Sequence, residues 1–395
     1  MITGSFPIEQ FQKLDTPFYY YDMTVLHDTL QALRTETTMP NWHVHYAIKA
    51  CATKPVIQHI AEQGIGADCV SAGEIQAAIE AGFDAGDIVF AGVAKTDKEI
   101  QYALEQGIFC FNVESMEELE VISSIAQTMG VTARVCLRIN PNIDAHTHDK
   151  ITTGLNENKF GIPMRFMPQA VALCYRLPAI QFLGIHCHIG SQITDMTPFV
   201  ALAQRINELV VQIEQMTCIN EQGQTVQACV QHINVGGGLG IFYEHPNHFP
   251  IPDFKSYFAV WREHLNVRPD QHFHCELGRA IVAQCGNLIT RVLYVKHGEN
   301  KLFAIVDAGM NDLIRPALYG AFHRVENISH PDNEEQLYDI VGPVCESGDV
   351  FVENYRIATI QRGDLLAMRS AGAYGETMAS RYNMRRLPGH IISHD

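Results

Sequence analysis

Long apolar runs are missing from this sequence, and their absence limits the classes of protein to which the chain can belong. No uninterrupted apolar span reaches the roughly 18 residues that a membrane-crossing helix needs. Residues 1–6 also lack the basic segment followed by an apolar one with which a secretory signal begins. We therefore expect a cytoplasmic protein that has no transmembrane segment.

Basic residues are few as well. The chain has 28 Lys and Arg against 44 Asp and Glu, a formal net charge of −16, so a nucleic acid or an anionic membrane is disfavoured as a partner. The 11 cysteines include no CxxC pair. In a reducing compartment we expect most of them to be buried thiols, with neither disulfides nor a zinc site.

The hydrophobic pattern up to residue 279 predicts an α/β fold. Apolar residues make up 47% of the chain, and short apolar runs alternate with segments of helical spacing such as 72–81 and 95–105. Eight such units over about 250 residues are what a (β/α)8 TIM-type barrel needs, although the pattern leaves a doubly wound open sheet as the alternative. The predicted strands are 44–48, 66–70, 87–91, 109–113, 133–139, 181–187, 229–235 and 271–276.

The remaining segments predict a second domain. Beyond Arg279 apolar runs at 292–295, 302–306, 338–341 and 364–368 follow one another without long helices, which is typical of a mostly β domain. An early aromatic strand at 17–21 could pair with it. We therefore predict an N-terminal strand segment (1–25) packing with the β domain, a cofactor-binding barrel (26–280) and a C-terminal mostly β domain (281–395). Residues 140–166 should form a loop insertion in the barrel.

Residues at the ends of the predicted barrel strands suggest a phosphate site. Catalytic groups of such barrels lie at the carboxyl ends of the strands, and phosphate sites form after strands seven and eight. Strand seven ends in Gly236-Gly237-Gly238, and strand eight in Glu276-Leu277-Gly278-Arg279. Glycines let backbone amides approach an anion, and Arg279 adds a forked cation. A flexible turn is the alternative explanation of the glycines.

Strand one ends in Lys49, a cation that must emerge into a cleft, find a partner or lose its charge. A lysine, a phosphate pocket and the acid Glu276 together suggest pyridoxal 5'-phosphate, with Lys49 holding the aldehyde as a Schiff base and Glu276 keeping the ring nitrogen protonated. Paired histidines, His186 with His188 and His272 with His274, leave a metal site as an alternative, although the glycine, serine and arginine here suit a phosphorylated cofactor better. A nicotinamide cofactor site would require a GxGxxG turn, and the sequence contains none.

Longer motifs resemble the fold type III pyridoxal-phosphate-dependent decarboxylases over nearly the whole chain. These motifs are YAIKA from Tyr46, GADCVSAGE from Gly66, FNVES from Phe111, RINP from Arg138, KFGI from Lys159, HIGSQ from His188, GGG from Gly236, GPVCES from Gly342 and GAYG from Gly372. The resemblance implies a barrel followed by a β domain, with pyridoxal phosphate as cofactor. One departure is Leu277, where members of the family usually have proline, and it affects only the expected shape of that turn.

The resemblance also implies roles for individual residues. Lys49 would carry the cofactor, His188 would stack on its ring, and Glu276 would pair with the ring nitrogen. The phosphate would be held by a larger group: Ser191, Gly237, Gly238, Gly278, Arg279 and Tyr374. Cys345 would lie at a homodimer interface and donate a proton in the partner subunit's site.

The substrate follows from the same resemblance. The chain is most similar to the members that decarboxylate meso-2,6-diaminopimelate to L-lysine, the last step of lysine biosynthesis, through a quinonoid intermediate. Arg315 and Tyr319 would bind the distal carboxylate, Glu346 would meet the distal ammonium, and Arg279 and Tyr374 would also touch the substrate. Without the resemblance, a surface ion pair that contributes little would be the favoured interpretation of Arg315. Decarboxylation of ornithine, arginine or a carboxylated polyamine, a racemase, an inactive binding protein and a metal-dependent hydrolase stay as alternatives.

Overall fold

A computed structural model describes residues 6–143 and 159–393 of the 395-residue chain. The chain divides into two compact units. We call 32–240 with 253–278 the barrel unit, and 1–31 with 241–252 and 279–395 the β unit. The domain boundaries predicted from the sequence stay a prediction. Among the described residues, no helix has both the length and the apolar character needed to cross a bilayer.

The barrel unit contains the eight parallel strands that the sequence predicts. Each pairs with the next, and the eighth strand, His272–Leu277, pairs with the first, Trp42–Ala47, which closes the sheet. The fold class is therefore confirmed, and the open-sheet alternative is wrong. The barrel strands are Trp42–Ala47, Gly66–Cys69, Ile88–Phe90, Cys110–Val113, Ala133–Asn140, Ile180–His186, His232–Asn234 and His272–Leu277.

Helices follow the strands of the barrel, and several begin with a side-chain cap. Ser71, Thr96 and Ser115 each accept a hydrogen bond from the backbone N–H three residues on, where a glutamate stands. These caps fix where three successive helices begin. The helices are Lys54–Ala61, Ala72–Ala81, Asp97–Gln106, Met116–Met129, Met167–Arg176, Thr197–Glu214 and Phe254–His264. A further helix, Met23–Glu36, runs through residue 31, where the β unit's first segment ends.

The barrel unit also holds two short additions to this pattern. A hairpin joins Thr217–Ile219 to Thr225–Gln227, and Ile162–Pro163 pairs with Ile139–Asn140. The second addition belongs to the loop insertion predicted for 140–166. Most of that insertion, residues 144–158, lies outside the described residues.

The β unit is built around one long strand, Gly286–His297. The early strand Phe18–Tyr21 pairs antiparallel with its start, and Leu365–Met368 and Leu302–Val306 also pair with it. The other strands of this sheet are Val325–Asn327, Glu335–Val341, Val350–Ala358 and Gly389–Ile392, and the short helices are Ile8–Phe11, Arg279–Val282 and Arg315–Tyr319. Phe11, Phe18, Tyr20 and Ile289 are buried together in one core.

Histidines occupy part of the barrel interior. His45 Nε2 lies 2.9 Å from His274 Nδ1, and His274 Nε2 lies 2.9 Å from His232 Nδ1. A neighbouring pair, His43 and His272, is joined by a 3.0 Å contact between ring nitrogens. Five histidines from three adjacent strands thus contact one another, and we call them the histidine cluster.

The protons of the histidine cluster are ordered along its chain. His45 Nδ1 lies 3.0 Å from the carbonyl oxygen of Asp87, which only accepts, so His45 Nδ1 donates and its Nε2 accepts. His274 Nδ1 must then donate to His45, and His232 Nδ1 must donate to His274. A proton added to His274 would point one N–H at another. The geometry therefore favours neutral rings.

We expect acid to destabilise the protein through the histidine cluster. Burial lowers the pKa of His43 and His232 from 6.5 to about 4, and it also lowers the pKa of His45 and His274. The unfolded chain therefore binds more protons, so stability is complete above about pH 6.5 and is lost as the pH falls toward about 4. His43 and His232 should each cost up to about 1.4 kcal/mol per pH unit in this range, and His45 and His274 should add to the loss, measured by urea unfolding.

A matched pair of variants separates this effect from general acid denaturation. His274→Gln should flatten the pH dependence of the unfolding free energy, whereas His297→Gln, at an exposed position of the β unit, should leave it unchanged. The carboxylates of Glu276 and Asp68 raise the pKa of His45 but do not outweigh its burial. Equal urea midpoints for the wild-type protein at about pH 5 and about pH 7.5 would contradict the prediction.

Candidate active site

Lys49 lies where the first barrel strand ends. The strand Trp42–Ala47 passes into a single helical turn in which Ile48 and Ala50 are fully buried, while the Lys49 side chain is 39% exposed. Its Nζ lies 2.5 Å from Oδ2 of Asp68, a buried residue of the next strand. Burial raises the pKa of Asp68, although the charge of Lys49 opposes this. An amine and a carboxylate therefore stand together at the carboxyl edge of the barrel.

A second lysine of the barrel differs sharply from Lys49. The side chain of Lys95 is buried, and its Nζ donates to the carbonyl oxygens of Gly92 and Asn112, each at 2.9 Å, and to Oε1 of Glu118 at 2.6 Å. These contacts use all three N–H groups of the ammonium. Lys95 is therefore a structural cation.

Glu276 is a buried carboxylate that three barrel strands satisfy. Its Oε1 accepts from Nδ2 of Asn112 and of Asn234, each at 2.8 Å, and its Oε2 lies 3.1 Å from Nε2 of His186. Burial alone would raise the pKa of Glu276, but His186 and the charge of Lys49 lower it below its usual range. Glu276 is therefore an anion near neutral pH. In this state it can accept a hydrogen bond from a protonated ring nitrogen.

His188 follows the sixth strand and is oriented by the glycine run. The N–H of Gly237 donates to His188 Nδ1 at 3.1 Å, so this nitrogen carries no proton. Burial lowers the pKa of His188 from 6.5 to about 3, with help from the charge of Arg138. The residue thus presents a neutral aromatic ring in a fixed orientation.

The glycines after strand seven allow the backbone to lie against neighbouring strand ends. A Cβ on Gly237 would collide with the carbonyl oxygen of Glu276, and one on Gly238, whose φ is +113°, would lie 2.7 Å from the carbonyl oxygen of Gly190. The turn therefore requires glycine here. Backbone amides can approach a ligand at such a turn more closely than side chains would permit.

The loops after strands six and seven are joined to each other. Ile193 and Leu239 form a parallel bridge, in which Ile193 N–H donates to the Gly238 carbonyl at 2.9 Å and Gly240 N–H donates to that of Ile193 at 2.9 Å. Ser191, which is half-buried, precedes this bridge by two residues. Gly278 is the last residue of the barrel unit, one position beyond the eighth strand.

The β unit collects two arginines and three tyrosines. Arg279 donates from Nη1 to the Tyr243 hydroxyl at 2.6 Å, and its Cζ lies 5.0 Å from the centre of the Tyr374 ring. Arg315 is buried on the helix Arg315–Tyr319, with Cζ 5.6 Å, 5.9 Å and 6.0 Å from the rings of Tyr243, Tyr319 and Tyr374. Arg315 is thus not the surface ion pair considered above.

Cys345 and Glu346 lie in an exposed loop of the β unit. The Cys345 N–H donates to Oδ1 of Asn383 at 3.3 Å, and the Glu346 carboxylate accepts from the hydroxyl of Tyr382. Both residues are exposed. Met384, which follows Asn383 in the sequence, is 96% exposed, and Leu387 is 48% exposed.

The structure adds residues that the sequence analysis did not name as site residues. Asp68 pairs with Lys49, Asn112 and Asn234 hold Glu276, and Tyr243 contacts both arginines. One signal was available for Asp68, because it is the only charged residue of its predicted strand and is paired with the residue that ends the first strand. His186 contacts Glu276, and His272 and His274 belong to the histidine cluster.

Comparison with known proteins identifies the family. Residues 28–283 match the family described as pyridoxal-dependent decarboxylase, pyridoxal binding domain, and this match covers more than half of the chain. The chain belongs to the pyridoxal-dependent decarboxylases. Its cofactor is therefore pyridoxal phosphate, as the sequence predicts.

Relatives of this decarboxylase have similar length. The diaminopimelate decarboxylase of Bacteroides thetaiotaomicron is 56% identical over 386 residues, which cover 98% of this chain and 97% of the relative. A crystal structure of diaminopimelate decarboxylase from Helicobacter pylori complexed with L-lysine has a TM-score of 0.88 and 38% identity, covering 98% and 94% of the two chains. The M. jannaschii enzyme in co-complex with L-lysine has a TM-score of 0.85 and 34% identity, covering 98% and 89%.

The residues of the barrel unit fit this cofactor. The anionic Glu276 suits a pyridinium nitrogen, the neutral ring of His188 suits stacking, and the exposed Lys49 suits an aldehyde. The turn at Gly237 and Gly238, in which a Cβ would collide with neighbouring carbonyls, suits a phosphate.

Asn112 offers a test of how Glu276 is kept ionised. Asn112→Leu removes one of two amide donors to Oε1 while it keeps the branching of the side chain, so we expect the free energy of unfolding to fall by about 1.5–3 kcal/mol. The exposed Asn266→Leu serves as the matched control in the same unit and should change it little. Urea unfolding of the two variants measures the difference. Equal stability of both would show that the hydrogen bond to Glu276 contributes nothing.

Proposed function

We propose that this enzyme removes one carboxylate of meso-2,6-diaminopimelate as carbon dioxide and releases L-lysine, the last step of lysine biosynthesis. Arg315 carries the proposal for the substrate. It is a buried guanidinium, 5% exposed, and its contacts within the described residues are with His323 and three tyrosine rings, none of them a carboxylate. A buried cation calls for an anion, and a substrate with a distal carboxylate supplies one.

The relatives support this choice of substrate. Those with the identities given above are diaminopimelate decarboxylases, and two of the solved structures contain L-lysine. Ornithine and arginine have no second carboxylate, so neither would satisfy Arg315. Arg315 and Tyr319 would bind the distal carboxylate, and Glu346 would bind the distal ammonium.

Pyridoxal phosphate, when bound, supplies an electron sink for the electron pair of the bond that breaks. Lys49 would hold its aldehyde, and Asp68, whose pKa is raised by burial, is suited to take the proton that the Lys49 ammonium must lose before it can act as a nucleophile. Glu276 would hold the proton on the ring nitrogen, because it stays ionised inside the barrel.

The remaining residues would position the cofactor and the substrate. His188 would stack on the ring, with its orientation set by the N–H of Gly237. Ser191, Gly237, Gly238, Gly278, Arg279 and Tyr374 would hold the phosphate. Arg279 and Tyr374, which contact each other, would also touch the substrate.

Cys345 would donate the proton that replaces carbon dioxide, in the site of a partner subunit. Its exposure supports this proposal, because a partner subunit can reach an exposed thiol. Tyr382, whose hydroxyl contacts Glu346, is also exposed, as are Met384 and Leu387 further along the chain, and these side chains supply apolar surface of the kind that a homodimer interface buries.

The proposal extends to organisation and location. We place the N-terminal strand segment at 1–25, the cofactor-binding barrel at 26–280 and the β domain at 281–395. We also place the enzyme in the cytoplasm, because all 11 cysteines are free thiols and nine of them are buried.

A substrate panel tests the proposed activity. Release of carbon dioxide should be seen with diaminopimelate, with lysine as the product, and should be absent with ornithine, arginine and a carboxylated polyamine. Arg315→Ala should lower kcat/KM for diaminopimelate by roughly a hundredfold or more, because a desolvated charge pair is lost. Arg315→Lys keeps the charge but not the forked guanidinium, so its kcat/KM should lie between those of the wild type and Arg315→Ala. Activity confined to ornithine would overturn the substrate assignment.

Mixing two inactive variants tests the shared site. Lys49→Ala and Cys345→Ala should each be nearly inactive as pure dimers, since each lacks one group in both sites. After exchange of subunits, half of the dimers are mixed and each has one intact site, so about a quarter of wild-type activity should return. Mixing Lys49→Ala with Lys49→Arg is the control, and it should restore nothing. No recovery with the first pair, under conditions where subunits exchange, would place Cys345 outside the partner's site.

A further inference from the structure

His323 is a buried residue of the β unit that the proposed reaction does not use. Its side chain contacts Arg315, with 3.3 Å between His323 Nε2 and Arg315 Nε. On the other side of the ring, Nδ1 lies 3.0 Å from the carbonyl oxygen of Arg369. His323 therefore links the proposed substrate arginine to the backbone that follows the strand Leu365–Met368.

The two contacts fix the proton of the His323 ring. A carbonyl oxygen only accepts, so Nδ1 carries the hydrogen and donates to Arg369. Nε2 is then left with its lone pair, which accepts from the N–H of Arg315 Nε. Burial and the charge of Arg315 lower the pKa of His323 from 6.5 to about 3, so this neutral form persists at working pH.

The contact with His323 determines which part of the Arg315 guanidinium faces a ligand. A guanidinium can bind a carboxylate side-on, through Nε and one terminal nitrogen, or end-on, through both terminal nitrogens. Because Nε is engaged by His323, the end-on arrangement is the one available. A neutral partner also orients the fork without cancelling its charge, whereas an aspartate or glutamate in this place would compete with the ligand.

His323 is itself held firmly. Arg369 is buried, its N–H donates to the Arg324 carbonyl at 2.8 Å, and its side chain donates to Asn287 at 2.9 Å and to Glu326 at 2.6 Å. The Tyr243 ring meets the imidazole edge-on, with 5.0 Å between ring centres and an angle of 76°. A side chain supported in this way can hold a flexible arginine in one orientation.

We propose that His323 is a positioning residue that orients Arg315 so that its two terminal nitrogens meet the carboxylate retained by the substrate. This inference rests on the proposed function. Of the two carboxylates of diaminopimelate one leaves as carbon dioxide, so the carboxylate that Arg315 holds is the one that remains on lysine. The affinity for lysine therefore depends on Arg315. The affinity for 1,5-diaminopentane does not, because this diamine has the same chain without any carboxylate.

Two variants of similar chemistry test the proposal. His323→Asn places its amide near the position of Nδ1, where it can still donate to Arg369, but it falls short of Arg315. His323→Gln is longer and can reach Arg315 with its amide oxygen. Inhibition constants of the holoenzyme for lysine and 1,5-diaminopentane are the readout, together with KM and kcat for diaminopimelate.

We expect His323→Asn to weaken the binding of lysine roughly tenfold to a hundredfold and to raise KM for diaminopimelate by a similar factor, because a hydrogen bond to a charged group is lost. Binding of 1,5-diaminopentane should stay within about twofold, and kcat should change less than KM. His323→Gln should recover most of the lysine affinity. His297→Asn, at an exposed position of the same unit, is the matched control and should behave as wild type.

A double-mutant cycle shows whether His323 acts through Arg315. In the Arg315→Ala background, His323→Asn should not weaken the binding of lysine any further. Equal weakening of lysine and 1,5-diaminopentane, no weakening of either, or an undiminished effect in the Arg315→Ala background would each overturn the role of His323. A wild-type enzyme that releases no carbon dioxide from diaminopimelate would instead overturn the proposed function, so the two failures are distinguishable.

Discussion

The constraint on which the barrel depends is a carboxylate that must stay ionised out of contact with water. Burying an isolated charge is costly, and a carboxyl group in such a place normally becomes protonated. Glu276 escapes this because two amides and an imidazole, from the strands Cys110–Val113, His232–Asn234 and Ile180–His186, point at its two oxygens. Polar side chains from three strands thus stabilise one anion on a fourth strand.

The two units stabilise buried charge in different ways. In the barrel unit, two amides and an imidazole meet the acid Glu276, and the ammonium of Lys49 contacts Oδ2 of Asp68, so protein groups of opposite polarity contact both acids. In the β unit, Arg315 has aromatic rings and a neutral imidazole around it. Such surroundings orient a cation and leave its charge for a ligand. The first arrangement suits a group that holds a cofactor, and the second suits a group that selects a substrate.

Much of the fold could be predicted from the sequence, because the barrel repeats one simple pattern. All eight predicted strands overlap observed ones, and the predicted helix 72–81 is observed as Ala72–Ala81. In the β unit, two strands were missed because neither contains the apolar run on which the prediction relied. Val325–Asn327 has only three residues, two of them polar, and Val350–Ala358 is interrupted by exposed polar residues.

The candidate site was predictable only in part. The end of a strand can be read locally, so Lys49, Glu276 and Arg279 were found from their positions. Asn112 is 164 residues from Glu276, and nothing local marks an asparagine as the partner of a distant acid. His323 and Tyr243 likewise could not be assigned to the site from the sequence. Their contacts with the arginines depend on strand register and on the path of the loops.

The bridge between Ile193 and Leu239 has a consequence for cofactor affinity. Two independent glycine-rich loops would each lose conformational freedom when an anion settled between their amides. Here that freedom is already lost when the polypeptide folds, because the loops are tied together through Gly238 and Gly240. An anion bound between these amides would therefore meet a preformed, rigid site. Weakening the short parallel bridge should then raise the dissociation rate of pyridoxal phosphate, even where no atom in contact with the cofactor has changed.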